Sequence, residues 1–243
     1  PSAPAPRLAG DFDERPVRRV VIDPGHGGKD PGAMRGRVRE KDVVLRISTE
    51  LRKRLKGEGF EVTLTRDADR ILPVAERPVR ANRAEADLFI SIHANASPNR
   101  KTQGVETYLL DTRYDRQTAR VAARENGTTI ARLSDLDLIK ASLRLGYTER
   151  YAARLAEDVQ TALVGRLRKN YRTTGDLGVK RGPFLVLFQA DMPAILVEVG
   201  FLTHRAEVKR LKTREFARAV AEGIARGVVR YRDRHARSLV AER

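Results

Sequence analysis

The chain switches repeatedly between short apolar runs and longer stretches in which apolar residues recur every three to four positions. Runs of strand length stand at residues 17–22, 62–65, 88–92, 105–110, 184–187 and 194–199. Helical spacing shows in Val43, Val44, Ile47, Leu51 and Leu55, across 75–86, and in Phe216, Val220, Ile224 and Val228. Gly57 and Gly59 close the first of these helices. Alternation of this kind predicts an α/β sheet with helices on both faces. Residues 114–170 break the rhythm: they are charged, helical in pattern and without a strand signal. Leu133, Leu136, Ile139, Leu143 and Leu145 suit one helix there. Gly146 ends it, and Tyr151, Leu155, Val159, Leu163 and Leu167 suit a second. This stretch reads as a helical insertion.

Composition narrows the picture only in places. A length of 243 residues suits one large domain or a domain with an insertion. The start, rich in Pro and Ala, reads as a linker over residues 1–16. The main domain is expected over 17–235, with a tail at 236–243. The chain begins at Pro1 without an initiator Met, so an upstream segment is expected. No apolar run is long enough to span a membrane. With no cysteine, disulfides and Cys-ligated metals are excluded. The net charge of +16 has two readings. One is attraction to a polyanion such as an acidic wall polymer; the other is an Arg-biased composition spread over solvated helix faces. The absence of Trp and the scarcity of aromatic residues argue against nucleic acid as partner.

Residues able to do metal chemistry are few, and their positions are informative. The chain has four histidines. His26 follows the first apolar run in VVIDPGHGGKDPGA, and His93 follows the third in ADLFISIHANAS. Glu40 opens a helix in REKDVVLRI, and Glu198 closes an apolar run in PAILVEVGFLTH. In open α/β sheets, sites form beyond the carboxyl ends of the strands. Convergence there requires the strands ending at Ile22, Ile92 and Glu198 to be parallel. Two His and one Glu with a free fourth position make a catalytic zinc set, and a further carboxylate supplies the proton transfers. Each residue alone also has a bland reading. His26 suits a surface turn, His93 a satisfied core histidine, Glu40 a helix-start carboxylate favoured by the dipole, and Glu198 a buried salt bridge. Burial of Glu198 between Val197 and Val199 is costly unless the carboxylate is used. Asn95 is placed to hold an imidazole or the substrate. Glu106 is a lesser candidate, and His204 and His235 read as surface residues.

At these residues the chain resembles the zinc-dependent N-acetylmuramoyl-L-alanine amidases of the Amidase_3 type, which trim peptidoglycan. The matching motifs are IDPGHGGKDPGA, REKDVVL, LTRDADRILPVAERPVRANRAEADLFISIHANA, GVETYLL, GVKRGPFLVL and PAILVEVGFLTH, in order. After the last motif the family often has Ser-Asn, where this chain has Thr203-His204. The resemblance implies a mixed sheet sandwiched by helices. It also implies Zn2+ held by His26, Glu40 and His93, and Glu198 as the catalytic carboxylate. The implied reaction is hydrolysis of the amide between the muramic lactyl group and L-alanine, in an extracytoplasmic and most simply periplasmic setting. Two other readings stay open: a zinc peptidase of the stem peptide, and a wall-binding or regulatory module without turnover. In part of the family a helical insertion blocks the zinc until an activator protein displaces it. That role would fall here on residues 126–150, with Glu149, Asp135 or Asp137 as the blocking carboxylate.

Overall fold

The computed structural model describes residues 15–111, 113–127 and 135–241, and for 135–147 the backbone alone. The strands are β1 (Arg19–Pro24), β2 (Met34–Arg35), β3 (Val38–Arg39), β4 (Glu61–Leu64), β5 (Leu88–Asn95), β6 (Val105–Leu110), β7 (Asp176–Gly182) and β8 (Ala194–Phe201). The helices are α1 (Glu40–Gly57), α2 (Glu76–Arg83), α3 (Arg116–Glu125), α4 (Asp135–Asn170), α5 (Leu185–Phe188), α6 (Arg205–Leu211) and α7 (Arg214–Ala241).

Six strands form one sheet in the order β4-β1-β5-β8-β6-β7, and β2 with β3 makes a separate short hairpin. Strands β4, β1, β5 and β8 are mutually parallel, so the three strands expected to share a direction do so. Strand β6 runs antiparallel to β8 and parallel to β7, which makes the sheet mixed. The chain leaves β1 for β4 on one side and returns to β5 on the other. The strand order therefore reverses between β1 and β5, and a crevice opens at their carboxyl ends.

Period-two alternation distributes each strand over both faces. Val20, Ile22, Leu88, Ile90, Ile92, Ile195, Val197 and Val199 pack on the face covered by α1, α4 and α7. Val21, Phe89, Tyr108 and Leu196 pack on the other, under α2, α3 and α5. Every residue of β5 and β8 is buried. That is why these strands read as continuous apolar runs, as expected for strands covered on both faces.

Three elements differ from the sequence pattern. Residues 184–187 were expected as strand, but Leu185–Phe188 is a single helical turn. A short apolar run does not distinguish a buried strand from a buried turn, and here Asn126 Oδ1 accepts from the Leu185 amide at 2.8 Å and fixes the turn. Gly146 was expected to end a helix, yet α4 runs through it to Asn170; one glycine costs only about 1 kcal/mol in a helix held by tertiary packing. Strand β7 carries no alternation that the pattern could reveal. It is an edge strand with mostly half-exposed residues, and Gly178 sits at φ 77 within it. The helix expected from Leu133 onward falls largely on residues outside the described side chains. The final helix continues past 235 to Ala241.

Candidate metal centre

The site lies at the carboxyl edge of the sheet, where β1 and β5 diverge. Strand β1 delivers the chain into the loop Gly25–Gly28. Gly25 continues beside β5, its amide donating to Ile92 O at 3.0 Å. A Cβ at Gly25 would stand 2.3 Å from Cε1 of His93, so only glycine lets the loop lie against that ring. His26 follows at φ 56, a left-handed conformation uncommon outside glycine. His93 is the sixth residue of β5, inside the strand rather than beyond it. Glu40 begins α1, placed there by the β2–β3 hairpin, and its amide donates to Ala33 O at 2.9 Å.

These elements bring His26, Glu40 and His93 together. A fourth residue, which the sequence pattern did not single out, joins them: Glu125, the last residue of α3. One ligand atom from each of the four lies within 4.8 Å of the others, and all four residues are buried. Glu125 Oε2 stands 2.7 Å from His93 Nδ1 and 3.1 Å from His26 Nε2. Glu40 Oε1 stands 3.1 Å and 3.2 Å from the same two nitrogens. The other nitrogen of His26, Nδ1, pairs with Asp30 Oδ2 at 2.8 Å. That carboxylate orients the ring and leaves Nε2 facing the cluster, as carboxylate partners do for metal-bound histidines. Glu40 is held as firmly: Oε2 accepts from Ala33 N at 2.7 Å and Oε1 from Ala94 N at 2.9 Å.

The electrostatics are those of a cation site. Burial opposes charge on His26, but the Glu40 charge, the Asp30 carboxylate that accepts from Nδ1 and the close Glu125 carboxylate override it and push the imidazole up to about 12. Burial likewise opposes charge on His93, and the Glu125 carboxylate raises it to about 9. Glu40 is held down at about 2 because the two imidazoles outweigh burial and the repulsion of Glu125. Positive charge is thus strongly favoured at the point where the four ligand atoms meet. His26 Nε2 and Glu125 Oε2 are buried and make no hydrogen bond. Two carboxylates and two imidazoles with atoms free at one point fit a divalent cation bound by N and O donors.

Glu198 stands next to this cluster without joining it. In register, His93 of β5 faces Glu198 of β8, which faces Glu106 of β6, so the three lie in one row across the sheet. Glu198 is fully buried; burial first, then the charges of Glu125 and Glu40, raise its carboxyl well above the ordinary value. Its Oε2 makes no hydrogen bond, and its Oε1 is 3.4 Å from Arg124 Nη2. Glu106 is buried among Asn95 Nδ2 at 2.6 Å, Tyr108 Oη at 2.8 Å and Lys180 Nζ at 2.6 Å, which gives it a structural occupation. Asn95 does not hold an imidazole: its Oδ1 accepts from Ala96 N at 2.7 Å and Arg124 Nη1 at 3.0 Å.

The C-terminal end of α3 divides the crevice. On one side is a cavity of about 200 Å³ lined by His26, Asp30, Pro73, His93, Glu125 and Val186. On the other is one of about 650 Å³ lined by Asn95, Asn99, Arg120, Arg124 and Phe201, among others. The carboxylates proposed to block the metal fare differently. Glu149 pairs with Arg181, away from the cluster. Asp135 and Asp137 lie outside the described side chains. The surface reading of His235 is corrected: it is buried, its Nε2 3.0 Å from Arg15 O, with its ring stacked over Tyr231. His204 is half-buried and caps α6, its Nδ1 accepting from Glu207 N at 3.4 Å.

The fold recurs among known proteins. The family model for N-acetylmuramoyl-L-alanine amidase matches residues 20–230. The amidase AmiC of Neisseria meningitidis is 35% identical over 226 residues, covering 89% of this chain and 53% of that protein. AmiC of Escherichia coli is 34% identical over 249 residues, covering 95% and 56%. The chain therefore spans about half the length of these relatives. The solved structure of AmiC2 of Nostoc punctiforme, an N-acetylmuramoyl-L-alanine amidase, aligns at a TM-score of 0.66 with 34% identity over 88% of this chain and 96% of that one. An N-acetylmuramoyl-L-alanine amidase from Clostridium difficile 630 aligns at 0.69 with 28% identity over 90% and 98%.

Proposed function

The chain belongs to the N-acetylmuramoyl-L-alanine amidase family, and we propose that it hydrolyses the amide between the lactyl group of N-acetylmuramic acid and L-alanine in peptidoglycan, with zinc as its metal. The observation that carries this reading is the convergence of His26 Nε2, His93 Nδ1 and Glu40 Oε1 on one point beside the unpartnered oxygen of Glu198. A zinc ion held by those three residues supplies Lewis acidity, acidifying water and polarising an amide carbonyl. The rest is the work of the chain. Glu198, kept from ionising readily by burial and by its acidic neighbours, takes a proton from water and returns it to the leaving amine nitrogen. Asp30 fixes the His26 ring, and the Ala33 and Ala94 amides fix the Glu40 carboxylate. No serine or cysteine nucleophile is required.

The arrangement described is a closed one. Glu125 stands where the fourth ligand position falls, and Arg124 beside it contacts Asn95, Ala96 O and Glu198. Access to substrate then requires the end of α3 to withdraw, and an activator protein that displaces this helix would supply the control. Among the described residues no helix is long and apolar enough to cross a membrane. A peptidoglycan substrate places the chain outside the cytoplasm, most simply in a periplasm and in service of wall remodelling or daughter-cell separation. Residues 17–235 then form the catalytic domain.

The test is mass spectrometry of products from intact muropeptides. Lactyl-bearing sugar together with free stem peptide supports the amidase. A shortened peptide still attached to sugar makes the protein a stem peptidase, and no product from Glu125-substituted, zinc-loaded protein makes it a binding module.

A further inference from the structure

Arg66 is fully buried and is the bulkiest of the fully buried side chains. It follows β4, and none of its hydrogen bonds goes to a side chain of the four-residue cluster. Each of its four hydrogen bonds goes to a backbone carbonyl. Nε donates to Pro24 O at 3.0 Å, and Nη2 to Gly25 O at 2.7 Å and to Lys41 O at 3.0 Å; Nη1 donates to Ala68 O at 3.1 Å. Pro24 and Gly25 lead into His26, and Lys41 directly follows Glu40. One guanidinium thus joins the two segments that carry two of the ligands. Gly27 leaves room for it: a Cβ there would stand 3.0 Å from Nε and 2.3 Å from Arg70 O.

Its neighbours complete the hold on the loop. Arg77 donates to Pro24 O at 2.8 Å and to His26 O at 2.9 Å, and Lys41 Nζ to Gly28 O at 2.6 Å. Arg77 and Lys41 restrain the loop's own carbonyls. Lys41 reaches the loop from the first turn of α1 by a flexible side chain, whereas Arg66 bonds backbone carbonyls of both segments with one rigid group. Burial and the Arg77 charge lower Arg66 to about 10, which leaves it charged at neutral pH with all its donors available. A rigid planar fork of this kind has no equivalent in lysine, whose ammonium is a single point on a flexible stem.

We infer that Arg66 is a positioning residue for the metal, setting the separation of His26 and Glu40 by bonding their two backbone segments to one guanidinium. The inference rests on the reading of this cluster as a metal site. The left-handed backbone of His26 is the segment most in need of such restraint, since an L-residue at φ 56 relaxes when its surroundings loosen.

The test is the zinc dissociation constant of the purified protein, by competition with a chelator, together with the visible spectrum of the Co2+-substituted form. Substitution of groups that orient metal ligands typically weakens binding ~10–100-fold. Arg66→Lys is expected to weaken zinc at least ~10-fold and to alter the Co2+ bands; Arg66→Met is expected to weaken it further. Asp158→Asn, a buried change on α4 remote from the cluster, serves as a control that lowers stability and leaves zinc affinity as in the parent. If Arg66→Lys binds zinc within ~3-fold of the parent with an unchanged Co2+ spectrum, the inference is wrong. It is equally wrong if Asp158→Asn weakens zinc as much, or if Arg66→Lys does not fold, because then the residue supports the fold at large. A parent protein that binds no zinc overturns the metal reading itself, which separates that failure from this one.

Discussion

Replacement of Glu125 by alanine is expected to raise the hydrolytic rate on peptidoglycan while zinc stays bound. The expectation follows from what Glu125 touches. Its Oε2 approaches His93 Nδ1 at 2.7 Å and His26 Nε2 at 3.1 Å, and its Oε1 takes Arg124 Nη2 at 2.5 Å. The Arg124 contact moves with α3, so what holds Glu125 closed is its ion-pair approach to the two imidazoles, taken as comparable to a charge-assisted hydrogen bond at about 1.5–3 kcal/mol net. Removing a contact at the top of that range shifts a closed–open equilibrium by roughly 150-fold. The observed gain is smaller if the open form is reached before that shift is exhausted. It is reduced further because the Arg124 bonds to Asn95 and Ala96 remain. Glu125→Gln retains the shape and loses the charge, so it should fall between parent and alanine. The assay is release of soluble fragments from purified, labelled peptidoglycan, with zinc content measured on the same samples. Three ligands remain in each variant, enough for a catalytic zinc site. Variants that fold, retain zinc and are no faster than the parent would refute the blocking role. Variants that lose zinc would show instead that Glu125 is a permanent ligand.

Two further expectations bear on the same cluster. Glu198→Gln should lower hydrolysis ~10²–10⁴-fold, the usual worth of a general acid–base group, and leave zinc content unchanged because Glu198 is not among the four residues whose ligand atoms converge; near-parental turnover in the Gln variant would remove it from the mechanism. The metal-free protein should lose stability as pH rises from 7 to 9. His93 is raised from 6.5 to about 9, so the folded state holds a proton that the unfolded state has released; its share of the stability is complete below about pH 6.5 and gone above about pH 9, and His26, raised to about 12, adds a fall in the same direction. The loss from His93 is on the order of 3 kcal/mol, read as a falling unfolding midpoint that the zinc-loaded protein does not share. A metal-free midpoint that is flat or rising across this interval would contradict the charge pattern assigned to the site.

The parts of this protein that were legible in its sequence are those governed by local rules. Strands β1, β5 and β8 announce themselves because both faces are buried and nearly every position is apolar or hydrogen-bonded within the core. His26, His93, Glu40 and Glu198 were visible because each is a polar group set at the end of such a run or at a helix start. Glu125 was not, although it is the only acid in α3, in a segment with arginines at 116, 120 and 124. A lone glutamate beside arginine reads as a solvated ion pair, and only the packing of α3 across the sheet edge brings it to the histidines. The signal that was available is its place at the helix end, just before Asn126 and Gly127, the latter at φ 62. Edge strand β7 and the buried turn α5 were missed for a related reason. Their conformation is set by neighbours, β6 in one case and Asn126 in the other, and not by their own periodicity.

If α3 closes the site as proposed, the same helix end would make the closed arrangement stable without locking it rigidly. Glu125 is attracted by two imidazoles and by Arg124, but repelled by Glu40 and by Glu198 across the cleft. Arg124 offsets part of that repulsion through its contact with Glu198. Withdrawal of α3 removes one negative and one positive side chain together, so the crevice opens without a change in its net charge. Two effects on Glu198 then run in opposite directions: loss of the Glu125 charge eases its ionisation, and loss of Arg124 hinders it. On the proposed reading, opening would then free a fourth metal position without resetting Glu198. A helix carrying the glutamate alone would block the site as well, but its release would leave Glu198 with a changed electrostatic partner balance at the moment substrate arrives. On that reading, the adjacency of Arg124 and Glu125 would couple the two events in one motion.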